Sequence, residues 1–116
     1  MEKIALICKD KSLFRELSGV LPKGMTLTEG APENAGSFVF FDIDSMRPGM
    51  IRELTDSHYV MAVTKQKRTE RVMEAATFGA YEVIQRPLTP EAIAGLMAEL
   101  QLFRDEIRDS IPVAPL

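Results

Sequence analysis

Apolar and polar residues follow one another along the chain in a way that predicts five strands. Short apolar runs at 3–8, 38–43 and 59–64 have the length of strands, and each ends at polar residues. The run at 38–43 consists mainly of aromatic and β-branched residues, which is typical of a central strand buried on both faces. Residues 25–29 alternate like a strand at a sheet edge, and residues 81–85 form the fifth strand.

Between these strands the apolar spacing changes to that of helices. Leu13 and Leu17 recur at helical spacing in the first interval, and a charged amphipathic helix is predicted over 67–78. The last helix follows Thr89, which suits the N-cap position, and continues to about Ile107. These intervals therefore connect the strands through helices.

The second interval differs from the others, because residues 30–37 contain Gly, Pro, Asn and Ser without an apolar stripe. We expect the helix at this place to be shortened or absent, and only a short helix at 50–54. Regular alternation of strands and helices predicts a doubly wound α/β fold with a five-stranded parallel sheet of order 2-1-3-4-5.

Length and composition restrict the class of protein. The chain has 116 residues, which suits one domain over 1–108, followed by an extended tail or the start of a linker to an output domain over 109–116. A net charge of −3 argues against direct nucleic-acid binding. No apolar run approaches the roughly 20 residues of a membrane span, and the single cysteine cannot form an intrachain disulfide. We expect a cytoplasmic protein.

The candidate site lies where the strands end. In doubly wound sheets, ligands and chemistry are found beyond the carboxyl ends of the strands. The polar residues and the cysteine at these positions are Cys8, Lys9, Asp10, Asp42, Asp44, Thr64, Lys65, Gln85 and Arg86.

Several of these segments, in this order, resemble the receiver domains of two-component response regulators. Phe41-Asp42-Ile43 is similar to the family's Leu-Asp-Ile, whose aspartate accepts a phosphoryl group. Thr64, Gly79-Ala80 and Arg86-Pro87-Leu88 correspond to the family's Thr or Ser, Gly-Ala and Lys-Pro-Phe. The resemblance implies the flavodoxin-like receiver fold, a histidine kinase as partner, and control of an output domain such as a transcription regulator.

Departures from the family pattern predict that the phosphorylation chemistry has been lost. Cys8 and Lys9 stand in place of the acidic pair that holds Mg²⁺, and neither a thiol nor an ammonium group suits this cation. Arg86 replaces the family's lysine, and its planar guanidinium has a different geometry. Lys65 replaces a small residue, and Val83 replaces the family's switch aromatic, so the rotamer signal is expected to be lost.

The leading interpretation is a pseudo-receiver that is not an enzyme and needs no cofactor. Asp42 is then a vestigial phosphoacceptor beside Thr64, held in an ion pair with Lys9 or Arg86, and Lys9 takes the place of the metal cation. Cys8 is interpreted as a small buried residue, with a redox sensor of lowered pKa as the less favoured reading.

An alternative interpretation remains open. If the first strand is shifted by one residue, Lys9 and Asp10 occupy the family's acidic positions and one acid is kept. The protein would then be an active receiver that phosphorylates itself on Asp42, with Mg²⁺ bound by Asp10, Asp42 and Asp44. A nucleotide-binding domain is disfavoured, because no Gly-rich loop follows the first strand.

The last helix suggests a contact with another domain or another copy of the chain. Leu100, Phe103 and Ile107 continue an apolar stripe beyond the part that the sheet is expected to cover. We therefore predict a homodimer or an attached output domain, with the contact made through this helix.

Overall fold

The computed structural model describes residues 2–110, apart from the side chains of residues 34 and 108–110. Its parallel strands form one sheet in the order β2-β1-β3-β4-β5, which confirms the predicted topology. The strands are β1 (Glu2–Ile7), β2 (Met25–Glu29), β3 (Phe38–Asp42), β4 (Tyr59–Thr64) and β5 (Glu82–Gln85).

Helices cover both faces of the sheet. They are α1 (Lys11–Val20), α2 (Ile51–Leu54), α3 (Glu70–Thr77) and α4 (Pro90–Ser110), with short 3₁₀ helices at Pro32–Asn34 and Pro48–Met50. Side-chain caps mark the starts of α1 and α4, and a glycine of positive φ follows the end of α3. The side chain of Asp10 caps α1 by accepting the Ser12 amide at 2.9 Å, and Thr89 accepts the Ala92 amide at 3.2 Å. Gly79, with φ of 107°, ends the turn after α3.

The second interval contains only the 3₁₀ turn at Pro32–Asn34, as the sequence predicted. Edge strand β2 explains why no helix is needed there. Its Met25 and Leu27 pack against the core under α1 and α4, whereas Thr26 on the opposite face is exposed. Because this face of β2 is polar, a covering helix would bury little apolar area.

Two apolar layers lie on the two faces of the sheet. The larger layer joins α1 and α4 to the sheet through buried residues that include Ile4, Leu6, Leu13, Leu17, Phe38, Phe40, Ile93 and Met97. The smaller layer lies under α2 and α3 and is formed by Phe41, Ile43, Ile51, Val60, Ala62 and Ala75. Strand β3 is buried throughout and β4 is buried from Val60 onward, which places the polar ends of these two strands at the rim of the core.

The second half of α4 corrects the prediction of an exposed apolar stripe at Leu100 and Phe103, whereas Ile107 is exposed as predicted. Leu100 is fully buried, and the Phe103 ring packs against Tyr59 and Tyr81, with ring centroids 5.8 and 5.3 Å away. A helix that follows a parallel strand returns antiparallel to it, so the end of α4 reaches the amino edge of the sheet, where Tyr59 begins β4 and Tyr81 directly precedes β5. Among residues 90–107, the large exposed apolar side chains of α4 are Leu102 and Ile107.

Helix α4 continues to Ser110, so it extends past the predicted boundary between 108 and 109. The rest of the predicted tail, residues 111–116, lies outside the described residues. Within residues 2–110, no helix has the length and apolar character needed to cross a membrane.

Candidate functional site

The carboxyl ends of the strands bring together most of the residues that the sequence singled out. Asp42 ends β3 and Thr64 ends β4, and each is only 1% exposed. Arg86 directly follows β5, and Asp10 lies between β1 and α1. A buried carboxylate requires hydrogen-bond donors or a cation, so its partners determine what the site can do.

Asp42 is held by its own loop. Its Oδ1 accepts the Asp44 amide at 3.0 Å, and its Oδ2 accepts the Ser45 hydroxyl at 2.6 Å. The Ser45 oxygen in turn accepts the Lys9 amide at 3.0 Å, so this one hydroxyl connects the ends of β1 and β3. Ser45 was not among the residues predicted from the sequence. The available signal was a serine three residues after an aspartate in a loop, a spacing at which such side chains often bond locally.

Asp44 binds the end of the neighbouring strand. Its Oδ1 accepts the Thr64 hydroxyl at 2.7 Å, and its Oδ2 accepts the Lys65 amide at 2.8 Å. Lys65 therefore takes part through its main chain, while its side chain is exposed. Beside these contacts is an open cavity of about 540 Å³ lined by Asp44, Lys65, Gln66, Thr69, Glu70 and Arg71.

Arg71, on α3, is a second residue that the sequence analysis missed. Its Nη1 donates to the Ile43 carbonyl at 2.6 Å and lies 3.4 Å from the Asp44 carbonyl. The main chain of the loop after β3 is thus bonded to α3 through Arg71. The Asp44 side chain bonds this loop to the end of β4, and the Ser45 side chain bonds it to Lys9 after β1.

Arg86 turns away from Asp42, which corrects the predicted ion pair. Its Nη1 donates to Asp10 Oδ2 at 3.0 Å, and its Nη2 donates to Glu16 Oε1 at 2.9 Å. The second Glu16 oxygen accepts the Leu88 amide at 2.8 Å. Helix α1 places Glu16 beside residues 86–88. The Arg86 guanidinium therefore bonds to the carboxylates of Asp10 and Glu16, and not to that of Asp42. Among the described residues, Lys9 forms no ion pair with Asp42 either.

The pKa shifts of Asp10, Glu16 and Arg86 all favour the charged forms of these side chains. Hydrogen bonds from Ser12 and Arg86 hold the pKa of Asp10 well below its usual range. Burial raises the pKa of Glu16, but the Arg86 guanidinium and the Leu88 amide outweigh this effect and lower it. Burial opposes the charge on Arg86, yet Glu16 and Asp10 raise its pKa. The Arg86 charge is thus neutralised within its own cluster.

In this arrangement the carboxylates of Asp10, Asp42 and Asp44 do not converge as ligands of one magnesium ion, and their alternative assignment stays a prediction that titration with Mg²⁺ tests. Each of the three is already bonded, to Arg86, to Ser45, and to Thr64 with Lys65 respectively. Within residues 2–110, no three His, Cys, Asp or Glu side chains are placed to hold a metal ion. Mg²⁺ needs several converging oxygens, and here the oxygens point to separate partners.

The remaining predicted residues lie around this centre. The Cys8 thiol packs against the larger core layer, and burial raises its pKa, opposite to the lowered pKa of the redox-sensor alternative. The side chain of Lys9 is exposed. Val83 packs against the smaller core layer, and Gln85 Nε2 donates to the Lys65 carbonyl at 3.3 Å.

No family model matches the sequence, and no curated protein matches it. Solved structures do match. A two-component response regulator from Clostridium difficile superposes with a TM-score of 0.72 at 20% identity, covering 87% of this chain and 97% of the other. A CheY-like receiver domain protein from Methanospirillum hungatei gives 0.71 at 16%, covering 96% and 99%. The chain has the fold of response-regulator receiver domains.

The receiver fold confirms the architecture that the sequence resemblance implied. The response regulator DrrB of Thermotoga maritima, described as an OmpR/PhoB homologue, matches with a TM-score of 0.67 at 21% identity over 91% of this chain and 54% of that protein. At such identities the likeness establishes the fold alone. Between β2 and β3, this chain has the 3₁₀ turn at Pro32–Asn34 and no α-helix.

Proposed function

We propose that this domain is a signal-receiver module of the two-component type that works without phosphorylation of Asp42. The observation that carries the proposal is that each Asp42 oxygen accepts a hydrogen bond from the domain itself, one from the Asp44 amide and one from the Ser45 hydroxyl. Phosphoryl transfer depends on a positioned carboxylate and on cations that neutralise the developing charge.

The placement of the cations supports the same proposal. Arg86 forms ion pairs with Asp10 and Glu16. The Asp10 carboxylate, which precedes α1, is therefore bonded to a protein cation. We therefore propose that the domain binds no Mg²⁺ as part of its function and is not an enzyme. Cytoplasmic location and a histidine kinase as partner stay predictions.

We further propose that the domain acts on an output domain, attached or separate, with a transcription regulator as the type that the resemblance suggests. The end of α4 is the proposed contact, because Leu102 and Ile107 are exposed there, at 61% and 37%. Apolar side chains exposed on a helix suit a contact with another domain.

Acetyl phosphate with Mg²⁺, followed by intact mass measurement, tests the proposal. We expect no covalent phosphoryl adduct on the wild-type chain or on Asp42→Asn, under conditions in which a known receiver domain is labelled. Stoichiometric labelling of the wild type that disappears in Asp42→Asn would instead establish the active receiver. Titration with Mg²⁺, followed by the amide shifts of residues 42–45, should show no saturable change.

A further inference from the structure

The Asp44 carboxylate joins the ends of β3 and β4 just beyond their last backbone hydrogen bond, which the Ile43 amide donates to the Val63 carbonyl at 3.1 Å. Thr64 at the end of β4 donates its hydroxyl proton to Asp44 Oδ1 at 2.7 Å. The alternative acceptor of that proton, the Gln66 carbonyl, is farther away at 3.2 Å. The Lys65 amide donates to Asp44 Oδ2 at 2.8 Å, so both carboxylate oxygens are used.

These two donors would otherwise be available to an anion at the site. The Asp44 amide donates to Asp42 Oδ1, so the side chains of Asp42 and Asp44 begin within one turn of each other. An anionic group added to Asp42 would therefore meet the Asp44 charge and would compete with it for Thr64 and Lys65.

The same bonds determine the path of the loop between β4 and α3. Beyond Lys65, the Gln66 amide donates to the Thr64 oxygen at 3.2 Å, and Thr69 then caps α3. The loop carries the exposed side chains of Lys65, Lys67 and Arg68. Fixing Thr64 and Lys65 thus fixes the start of a basic, exposed segment.

We propose that Asp44 is an internal latch. Its carboxylate takes the Thr64 hydroxyl and the Lys65 amide in place of an added anion, and so holds the β4–α3 loop in one conformation whatever the input. This inference rests on the proposed function, since it explains how a receiver whose Asp42 is not phosphorylated keeps this loop fixed. Because Asp44 is exposed, substituting it removes the bonds to Thr64 and Lys65 without creating a cavity in the core.

Amide hydrogen exchange, measured by NMR without Mg²⁺ or a phosphoryl donor, tests the latch. In Asp44→Ala we expect the Lys65 amide to exchange about tenfold faster or more, because it loses a charge-assisted hydrogen bond. Asp56→Ala is the matched control, since it removes an exposed carboxylate from the turn before β4. It should leave the exchange of Lys65 unchanged.

Thr64 provides an independent pair of variants. Thr64→Val keeps the shape of this buried side chain but removes the hydroxyl, and it should accelerate exchange at residues 65–68. Thr64→Ser keeps the hydroxyl and should restore protection. Unchanged protection of Lys65 in both Asp44→Ala and Thr64→Val would overturn the latch. Because no phosphoryl donor is present, this result is separate from the acetyl phosphate experiment, whose failure would overturn the proposed function instead.

Discussion

At the scale of single residues, Arg86 shows why a cation cannot be assigned a partner from its type alone. A guanidinium offers several donors in one plane and can serve two carboxylates at once. Here it bonds Asp10 and Glu16, and its side chain is only 9% exposed. Arg86 is therefore bonded to the N-cap of α1 and to Glu16 within that helix, while Asp42 accepts hydrogen bonds from the Asp44 amide and the Ser45 hydroxyl.

Substitution of Glu16 tests the energetic weight of this cluster. Glu16→Gln keeps the shape but removes the charge that Arg86 contacts, so we expect the free energy of unfolding at neutral pH to fall by about 1–2 kcal/mol. Urea unfolding measures this loss. Glu53→Gln, on the exposed side of α2, is the matched control and should change the free energy by less than about 0.5 kcal/mol.

The lowered pKa of Glu16 also predicts how the free energy of unfolding depends on pH. The folded state lowers the pKa of Glu16 below its ordinary 4.5, so the unfolded chain takes up the proton first as the solution becomes acidic. This stabilisation is fully present above pH 4.5 and is lost as the pH falls through the lower folded-state value. The stability of Glu16→Gln should therefore decline less than that of the wild type below pH 4.5. Parallel declines would contradict this role of Glu16.

At the scale of elements, α4 packs against the sheet along most of its length. Beyond Leu100, the Phe103 ring meets Tyr59 and Tyr81, and Arg104 donates to Glu2 Oε1 at 2.8 Å. The Arg104 guanidinium also lies over the Phe38 ring, 5.1 Å from its centroid. These contacts join the last helix to the amino edge of the sheet, so this part of α4 belongs to the domain.

Neighbouring residues on α4 allow a direct comparison. Phe103→Ala removes a ring from the aromatic cluster, and we expect a loss of about 2–4 kcal/mol in the free energy of unfolding. Leu102→Ala changes the adjacent side chain, which is 61% exposed, and should cost less than about 0.5 kcal/mol. Chemical denaturation of the two variants measures both values. Equal effects would mean that α4 is not docked through Phe103.

At the scale of the whole molecule, the docking of α4 leaves little apolar surface for self-association on residues 90–107 of this helix. In this range Leu102 and Ile107 are the large exposed apolar residues, whereas a stable protein interface buries about 800 Å² on each partner. We therefore expect the chain of 116 residues to sediment as a monomer at micromolar concentration. A dimer that Leu102→Lys abolishes would instead confirm the homodimer predicted from the sequence and would make a second copy the partner of α4.

Truncation distinguishes a helix that supports the domain from one that serves only as a contact. A chain that ends at Glu99 lacks Leu100, Phe103 and Arg104, so it should lose cooperative unfolding along with any association. Thermal unfolding followed by circular dichroism measures this difference. A truncated chain as stable as the full one would show that the end of α4 is dispensable for folding.

The sequence by itself determined the architecture, because strands and helices follow from local patterns. Residues 25–29 and 59–64 were predicted as strands with the observed bounds, and Thr89 was identified as the cap of the last helix. The missing second helix could also be predicted, since Gly30 to Ser37 has no apolar stripe. The strand ends then place Asp42 and Thr64 at the same edge of the sheet.

Only the tertiary structure decided which of these groups bond to one another. Arg86 and Glu16 are 70 positions apart, and Thr64 and Asp44 are 20 apart, so their pairing depends on the path of the chain. The periodicity of α4 showed which residues share a face but not that Tyr59 and Tyr81 cover Phe103. Local patterns record the period of an element, whereas hydrogen-bond partners and burial depend on distances and directions that exist only after the elements have packed.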